Sequence, residues 1–272
     1  MYNFDKKKNL IEHNFSSVSE LLSYIETVDF SPNFYERASD NAGYEFTHTE
    51  SYSEAVEICR MGGTKEEIRK ANEIVNDLEK QTKIIYTRPK RYAHFVGFAP
   101  IVPAYLQGNP LNMYNTRKEK RKKIDVYFGA EVTGETQTDD IYEKGITTMA
   151  IIKLLEKHGY NVNLNFFTAL ETDTQTILAK ILLKGETQRL DIASNYFPMC
   201  HPAFSRRLIY RLIEKSPDAD KMWQDKYGRV CTENTARYLL GASQDDIMIK
   251  TLVDARKTWD KAIAEKGEIT NV

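Results

Sequence analysis

The stretch KKIDVYFGAEVTGETQ, residues 122–137, decides the fold that this sequence predicts. Its middle part, Lys123–Ala130, is rich in β-forming residues and scarcely alternates between apolar and polar positions, which is typical of a strand covered on both faces. An acidic, hydroxyl-rich loop follows, and the polar residues 138–140 then begin a long helix that Gly159 ends. The stretch therefore predicts a central strand, a loop and a helix of an α/β domain.

The rest of the second half continues this alternation of strands and helices. Two β-rich runs, residues 161–167 and 177–183, are separated by about nine mostly polar residues, too few for a parallel crossover, so we expect an antiparallel hairpin. A helix with Pro202 near its N-terminus follows, and a helical passage leads to a last strand at residues 246–252. We expect an α/β fold: a mostly parallel central sheet with one antiparallel edge hairpin, flanked by helices.

The first part of the chain is predicted to be mainly helical, and we divide the chain into residues 1–120 and 121–272. Ser17 or Ser19, Ser51 and Thr64 each stand where an N-cap residue is expected, ahead of helical apolar periodicity. Residues 95–115, which we call the strap, are rich in Pro and Gly and exclude a long helix or an inner strand. Because the strap is also strongly apolar, we expect it to pack on the second half.

The overall composition excludes several classes of protein. With 272 residues and 41% hydrophobic content, the chain can bury a sizeable core, and its net charge of -1 favours neither a nucleic acid nor a membrane as a global partner. No apolar run approaches the roughly 20 residues that span a bilayer, and the three cysteines form no CxxC pair. We expect a cytoplasmic protein with reduced thiols and no membrane partner.

The order of elements from about Lys122 to Gly267 resembles the von Willebrand factor type A domain. In that family the loop after the first strand carries Asp-x-Ser-x-Ser, whose oxygens hold a divalent cation that a partner's carboxylate completes. The corresponding residues here are Glu131, Thr133 and Glu135. They offer oxygens at alternate positions for Mg²⁺, but glutamate is longer than aspartate and a second carboxylate would crowd the site. The other interpretation, which we adopt, is a solvated turn without a cofactor, whose acid favours the helix N-terminus.

A second resemblance covers residues 51–216 and concerns a family of phage-encoded proteins of unknown function. It is carried by VGFAPIVPAYLQGNPLNM, EKGITTMAIIKLLEKHGYNVNLNF and HPAFSRRLIYRLIE, with a Val-Pro-x-Tyr-x-x-Gly-x-Pro-x-x-Met strap and a His-Pro-x-x-x-Arg-Arg helix. The resemblance implies a viral or prophage origin and supplies no activity.

The helix after residue 201 contains two candidate groups. Cys200 and His201 are adjacent, and these two residue types suggest a nucleophile and its base. Adjacent residues on a turn rarely point their side chains at each other, so we expect His201 to cap or pack. Arg207 and Arg211 share one helical face, and their guanidinium groups suit phosphate or carboxylate. A buried ion pair with Glu214 or Asp191 explains them equally well, and both interpretations remain open here.

Two basic runs, YTRPKRY and TRKEKRKK, flank the strap, and aromatic residues lie in or near the first of them. Such clusters suit a nucleic-acid backbone with exposed bases. The candidate contacts are Arg88, Lys90, Arg91, Arg117, Lys118 and Arg121. The alternative is a solvated charge run that keeps a sheet edge soluble.

The sequence contains no GxGxxG, GxxxxGK[ST], HExxH or GxSxG motif and no Cys/His cluster. This disfavours the common nucleotide-dependent and zinc-dependent enzymes. We expect a phage-type protein-protein binding or assembly factor without catalytic activity, with a viral or host protein as partner. The alternative is a nucleic-acid-binding or metal-dependent nucleic-acid-processing protein. A third hypothesis is a host-defence antagonist that uses Arg207 and Arg211 to capture a host protein or signalling molecule.

Overall fold

A computed structural model of the chain describes residues 2–5, 10–29, 37–82, 91–116, 122–130, 136–172, 175–216 and 229–264. Its strands are β1 (Tyr2–Asp5), β2 (Leu10–Phe15), β3 (Arg91–His94), β4 (Ala99–Pro100), β5 (Met113–Thr116), β6 (Lys123–Gly129), β7 (Asn161–Glu171), β8 (Thr176–Lys184), β9 (Arg229–Val230) and β10 (Ile247–Ile249). Its helices are α1 (Val18–Thr27), α2 (Ala38–Asn41), α3 (Tyr44–Thr47), α4 (Tyr52–Met61), α5 (Lys65–Gln81), α6 (Val102–Leu106), α7 (Thr138–Lys157), α8 (Ile192–Cys200), α9 (Tyr210–Glu214), α10 (Glu233–Leu240) and α11 (Leu252–Ala264). A π-helical segment, Phe204–Ile209, precedes α9.

The prediction of β6 as an inner strand is confirmed. β6 lies between β7 and β10 and is parallel to both. Val126 and Phe128 are buried, as a strand covered by packed elements requires. The chain leaves β6 through α7 to β7 on one side and returns later as β10 on the other. The carboxyl ends of β6 and β10 therefore lie side by side at the same end of the sheet.

The antiparallel hairpin of β7 and β8 is confirmed, but its predicted position at the edge of the sheet is wrong. β2 pairs with β8 in parallel, and β1 pairs with β2 antiparallel. The sheet order is β1-β2-β8-β7-β6-β10, with β9 beside β7, and three of the five pairings along this order are parallel. The first part of the chain thus contributes strands as well as helices.

Helices pack mainly on one face of this sheet. α7 contacts α5, α8 and α11 and contributes much of the principal core. On the other face, Ala236 of α10 packs with Tyr127, Phe167 and Met248. The expected N-caps are present: Ser17 accepts from the Glu20 backbone, Ser51 from Glu54, and Thr64 forms a full capping box with Glu67.

The strap does not bury its apolar side chains as expected. Together with β3, which directly precedes it, the strap forms a small antiparallel sheet in the order β3-β5-β4, and it also contains the short helix α6. Phe95, Phe98, Tyr105 and Leu106 are all more than half exposed. The argument from apolar composition failed because this small sheet satisfies its backbone hydrogen bonds without covering its side chains.

Candidate functional site

A buried lysine lies at the carboxyl ends of β6 and β10. Lys144 Nζ donates to the carbonyl oxygens of Gly129 (2.7 Å) and Lys250 (3.1 Å) and lies 4.6 Å from the centre of the Phe128 ring. The residue reaches this position because it lies in the first part of α7 on the face that packs on the sheet. The carboxyl ends of β6 and β10 are thus bridged by the ammonium group of Lys144.

The candidate metal ligands Glu131, Thr133 and Glu135 lie outside the described residues. Within the part of the chain that the structure does describe, no group of three or more His, Cys, Asp or Glu side chains is arranged to hold a metal ion.

Arg207 is fully buried and is bound by the segment that precedes α4. Its guanidinium donates to Thr49 Oγ1 (2.7 Å) and to the carbonyl oxygens of Thr49 (2.6 Å), Ala42 (2.9 Å) and Ser39 (3.1 Å). A planar fork of donors suits this set of converging oxygens better than a single ammonium would. Arg207 is therefore a structural residue that fixes residues 39–49 against the π-helical segment.

Arg211 forms an ion pair with Asp40, an acid that the sequence analysis did not consider. Its guanidinium also lies 3.9 Å from the centre of the Tyr52 ring, within the range of a cation–π contact. Glu214 accepts hydrogen bonds from the backbone and hydroxyl of Ser39. Asp191 caps α8. Both predicted arginines thus hold residues 39–52 in place.

Cys200 and His201 also serve the fold. The Cys200 thiol is buried, and burial raises its pKa well above the usual value, which disfavours the nucleophilic thiolate. The His201 ring stacks on Phe197 at 4.5 Å, and its Nδ1 accepts a hydrogen bond from the Ala203 backbone. The expectation that His201 caps and packs is confirmed.

Two buried histidines make the stability of the fold depend on pH. Burial lowers the pKa of His13 and of His201 from 6.5 to about 4. The unfolded chain therefore takes up these protons near pH 6.5, whereas the folded chain does so only near pH 4. Hence the contribution of the neutral histidines to the free energy of unfolding is complete above pH 6.5 and is lost as the pH falls towards 4. We expect the free energy of unfolding to fall by roughly 1.4 kcal/mol per pH unit for each histidine in this window.

Urea unfolding at several pH values between 7 and 4.5 measures this slope. His201→Gln is expected to remove about half of it, and replacement of the exposed His94 by Gln is the matched control. An identical slope in wild type and His201→Gln would contradict the assignment.

Several apolar side chains of the strap are exposed, and we call them together the strap surface. It consists of Phe95, Val96, Phe98, Val102, Tyr105 and Leu106, with exposed fractions from 58% to 78%. Phe98 N donates to Tyr114 O (2.9 Å), and a Cβ on Gly97 would lie 2.0 Å from the same oxygen, so only glycine fits there. This turn presents the apolar side chains to solvent.

Of the predicted basic contacts, the structure describes one. The Arg91 guanidinium lies 5.6 Å from the Phe98 ring centre and 6.0 Å from that of Tyr114, so it packs at the base of the strap surface. Arg88, Lys90, Arg117, Lys118 and Arg121 lie outside the described residues.

Sequence reasoning missed two residues near the carboxyl end of the sheet. Lys144 lies in a helix where a lysine is normally expected in solvent, and no local pattern distinguishes it. Arg206 was passed over because Arg207 and Arg211 share a helical face. Yet Arg206 is partly exposed whereas both of those arginines are buried. The composition of the helix gave no signal for this difference.

Comparison with known proteins gives one match. A family described as Domain of unknown function (DUF7192) matches residues 4–271. No significant match is found among curated proteins or among solved structures. In the part of the chain that the structure covers, every helix is too short or too polar to cross a membrane.

Proposed function

The chain belongs to the DUF7192 family, and we propose that it is a protein-protein binding or assembly factor without catalytic activity. The observation that carries this proposal is the strap surface, six apolar side chains each more than half exposed. Monomeric soluble proteins rarely leave a contiguous apolar patch in water unless it contacts another macromolecule. Aromatic side chains on such a patch are the usual anchors of a protein interface.

Charge around the strap indicates what kind of protein would bind it. Ten of the 38 lysines and arginines lie between residues 83 and 123, where Glu119 is the only acid. These basic residues flank the strap in the sequence, so we infer that the partner of the strap surface carries an apolar patch together with acidic residues. Such complementarity speeds association and selects the partner.

We retain two finer interpretations as part of the proposal. The von Willebrand A-like arrangement is supported by β7 and β10, which flank β6 and are both parallel to it. The ammonium group of Lys144 at the carboxyl end of β6 argues against a divalent cation beside it, because like charges repel. A phage-type origin and a viral or host partner in the cytoplasm rest on the sequence resemblance.

The double variant Phe98→Ser/Leu106→Ser tests the role of the strap surface. We expect the tagged wild type and the tagged double variant to fold alike, because these side chains are exposed. In a pull-down, the wild type should retain a specific partner protein and the double variant should not. That partner, once purified, should bind the variant about 30-fold or more weakly by calorimetry. Val253→Ser, which removes an exposed apolar side chain from α11, is the control and should bind normally.

The same purified protein can be used to distinguish a protein-binding role from a nucleic-acid-processing role. A nucleic-acid-processing protein would cleave DNA or RNA with Mg²⁺, or bind a single-stranded oligonucleotide in a strongly salt-dependent manner. Either result, with no partner protein that depends on Phe98 and Leu106, would replace the binding proposal. If the partner is a second copy of this chain, sedimentation will show an association that the double variant abolishes.

A further inference from the structure

We propose that Arg206 is the centre of a binding site for a small organic anion, a phosphate or carboxylate attached to an apolar body. The site lies apart from the strap surface and does not depend on the proposed function. It occupies a cavity of about 460 Å³, a size typical of small-molecule sites. The cavity is lined by Ala38, Asn41, Ala42, Gly43, Phe46, Thr47, Arg206 and Tyr210.

The guanidinium of Arg206 is held between two aromatic rings. Its central carbon lies 5.2 Å from the Phe46 ring centre and 5.3 Å from that of Tyr210. Nη1 donates to the Tyr210 hydroxyl at 2.6 Å. Contact with the rings fixes the orientation of the planar group while leaving most of its five N–H donors for another acceptor. The side chain is thus positioned in advance of binding.

Charge in the cavity is unbalanced. Among the described residues, Arg206 is the only charged residue of the lining, and no carboxylate pairs with it. Arg211 differs from Arg206 because it forms an ion pair with Asp40. Arg207 also differs from Arg206, because its donors bind buried oxygens. A partly buried cation without a counterion favours an anion in the adjoining space.

Hydrogen bonds hold the walls of the cavity together. Residues 38–47 form one side, and the hydrogen bonds of Arg207 to Ser39, Ala42 and Thr49 fix this side to the π-helical segment. Ser205 Oγ donates to Ala130 O (3.3 Å), which anchors the segment at the carboxyl end of β6. π-Helical turns are frequently found at functional sites, and the carboxyl end of an α/β sheet is where ligands bind.

The chemistry of the lining defines the class of ligand. A guanidinium presents paired donors that match two oxygens of a phosphate or carboxylate. Ala38, Ala42 and Phe46 offer apolar surface beyond the charge, so a ligand with a flat or apolar body fits better than a bare ion. Asn41 adds an amide that can orient a polar substituent.

The test uses phenyl phosphate and benzoate as probes, with inorganic phosphate and phenol as partial analogues, measured by ligand-observed NMR and calorimetry. We expect phenyl phosphate or benzoate to bind more tightly than either analogue. Arg206→Met should weaken this binding at least about tenfold, and Arg206→Lys should be intermediate because it keeps the charge but loses the fork. Arg256→Met, which removes an exposed arginine paired with Glu143, should leave binding unchanged.

Two results would overturn the proposal. One is that neither phenyl phosphate nor benzoate binds the folded wild-type chain at millimolar concentration. The other is that Arg206→Met, shown to be folded by its thermal transition, binds as the wild type does. Because the strap surface is not involved, Phe98→Ser/Leu106→Ser should bind the probes normally, so this test and that of the proposed function can fail separately.

Discussion

Arg207→Met is expected to cost about 3–5 kcal/mol of the free energy of unfolding, the largest effect we predict for a single side chain. The methionine would leave the buried oxygens of Ser39, Ala42 and Thr49 without their donor. A buried acceptor that loses its partner costs the full desolvation of that group. Since a native domain is stable by only about 5–15 kcal/mol, residues 39–49 should detach or the chain should unfold.

Arg206→Met is the matched control for this prediction, because it removes the same chemical group from the next residue of the same segment. Its one hydrogen bond in the described structure goes to Tyr210, so its stability should stay within about 1 kcal/mol of wild type. Urea unfolding gives both values, and hydrogen exchange of residues 39–49 localises the loss. A stability of Arg207→Met equal to that of Arg206→Met would contradict the structural role of the buried guanidinium.

Gly145→Ala is expected to destabilise the chain by roughly 1–3 kcal/mol, although alanine is normally the better helix former by about 1 kcal/mol. Gly145 lies within α7, and an added Cβ would be 2.5 Å from Cys200 Sγ and 2.6 Å from Met199 O. Because part of this obstruction is backbone, α8 must move away from α7. The sign of the effect therefore distinguishes close helix packing from intrinsic helix propensity.

Gly43→Ala is the control for this substitution, because a Cβ there would meet nothing within 4 Å. Thermal unfolding should show a transition several degrees lower for Gly145→Ala and nearly unchanged for Gly43→Ala. If Gly145→Ala is as stable as wild type or more so, the close approach of α7 and α8 is incorrect.

The sequence predicted the middle of the fold because strong local patterns encode it. The unbroken β-rich run of β6, the apolar periodicity of α7 and the short polar link between β7 and β8 each specify one element or pairing. Capping residues gave the starts of α1, α4 and α5. These features depend on neighbours within a few residues, which a single sequence contains.

The elements that were missed depend on distant partners. In β2, Glu12 and Asn14 alternate with buried residues, but one of these buried residues, His13, is also polar, so the apolar pattern is weak. The strand that pairs with β2 in parallel, β8, lies far along the chain. α8 contains Pro198, which argues against a helix when read locally. The oxygens around Arg207 are mostly backbone carbonyls of residues 39–49. Every residue has a backbone carbonyl, so the sequence does not show which of them bind an arginine. A carboxylate partner was therefore sought where none was needed.

The pairing of β2 with β8 has a consequence for how the chain is made. Thr176–Ile181, the residues that pair with Leu10–Phe15, are synthesised some 160 residues after them. At translation rates of about 5–20 residues per second, β2 waits on the order of ten to thirty seconds. During that interval the edge of β2 that β8 later covers lacks its partner strand, and such an unpaired edge favours association with other chains.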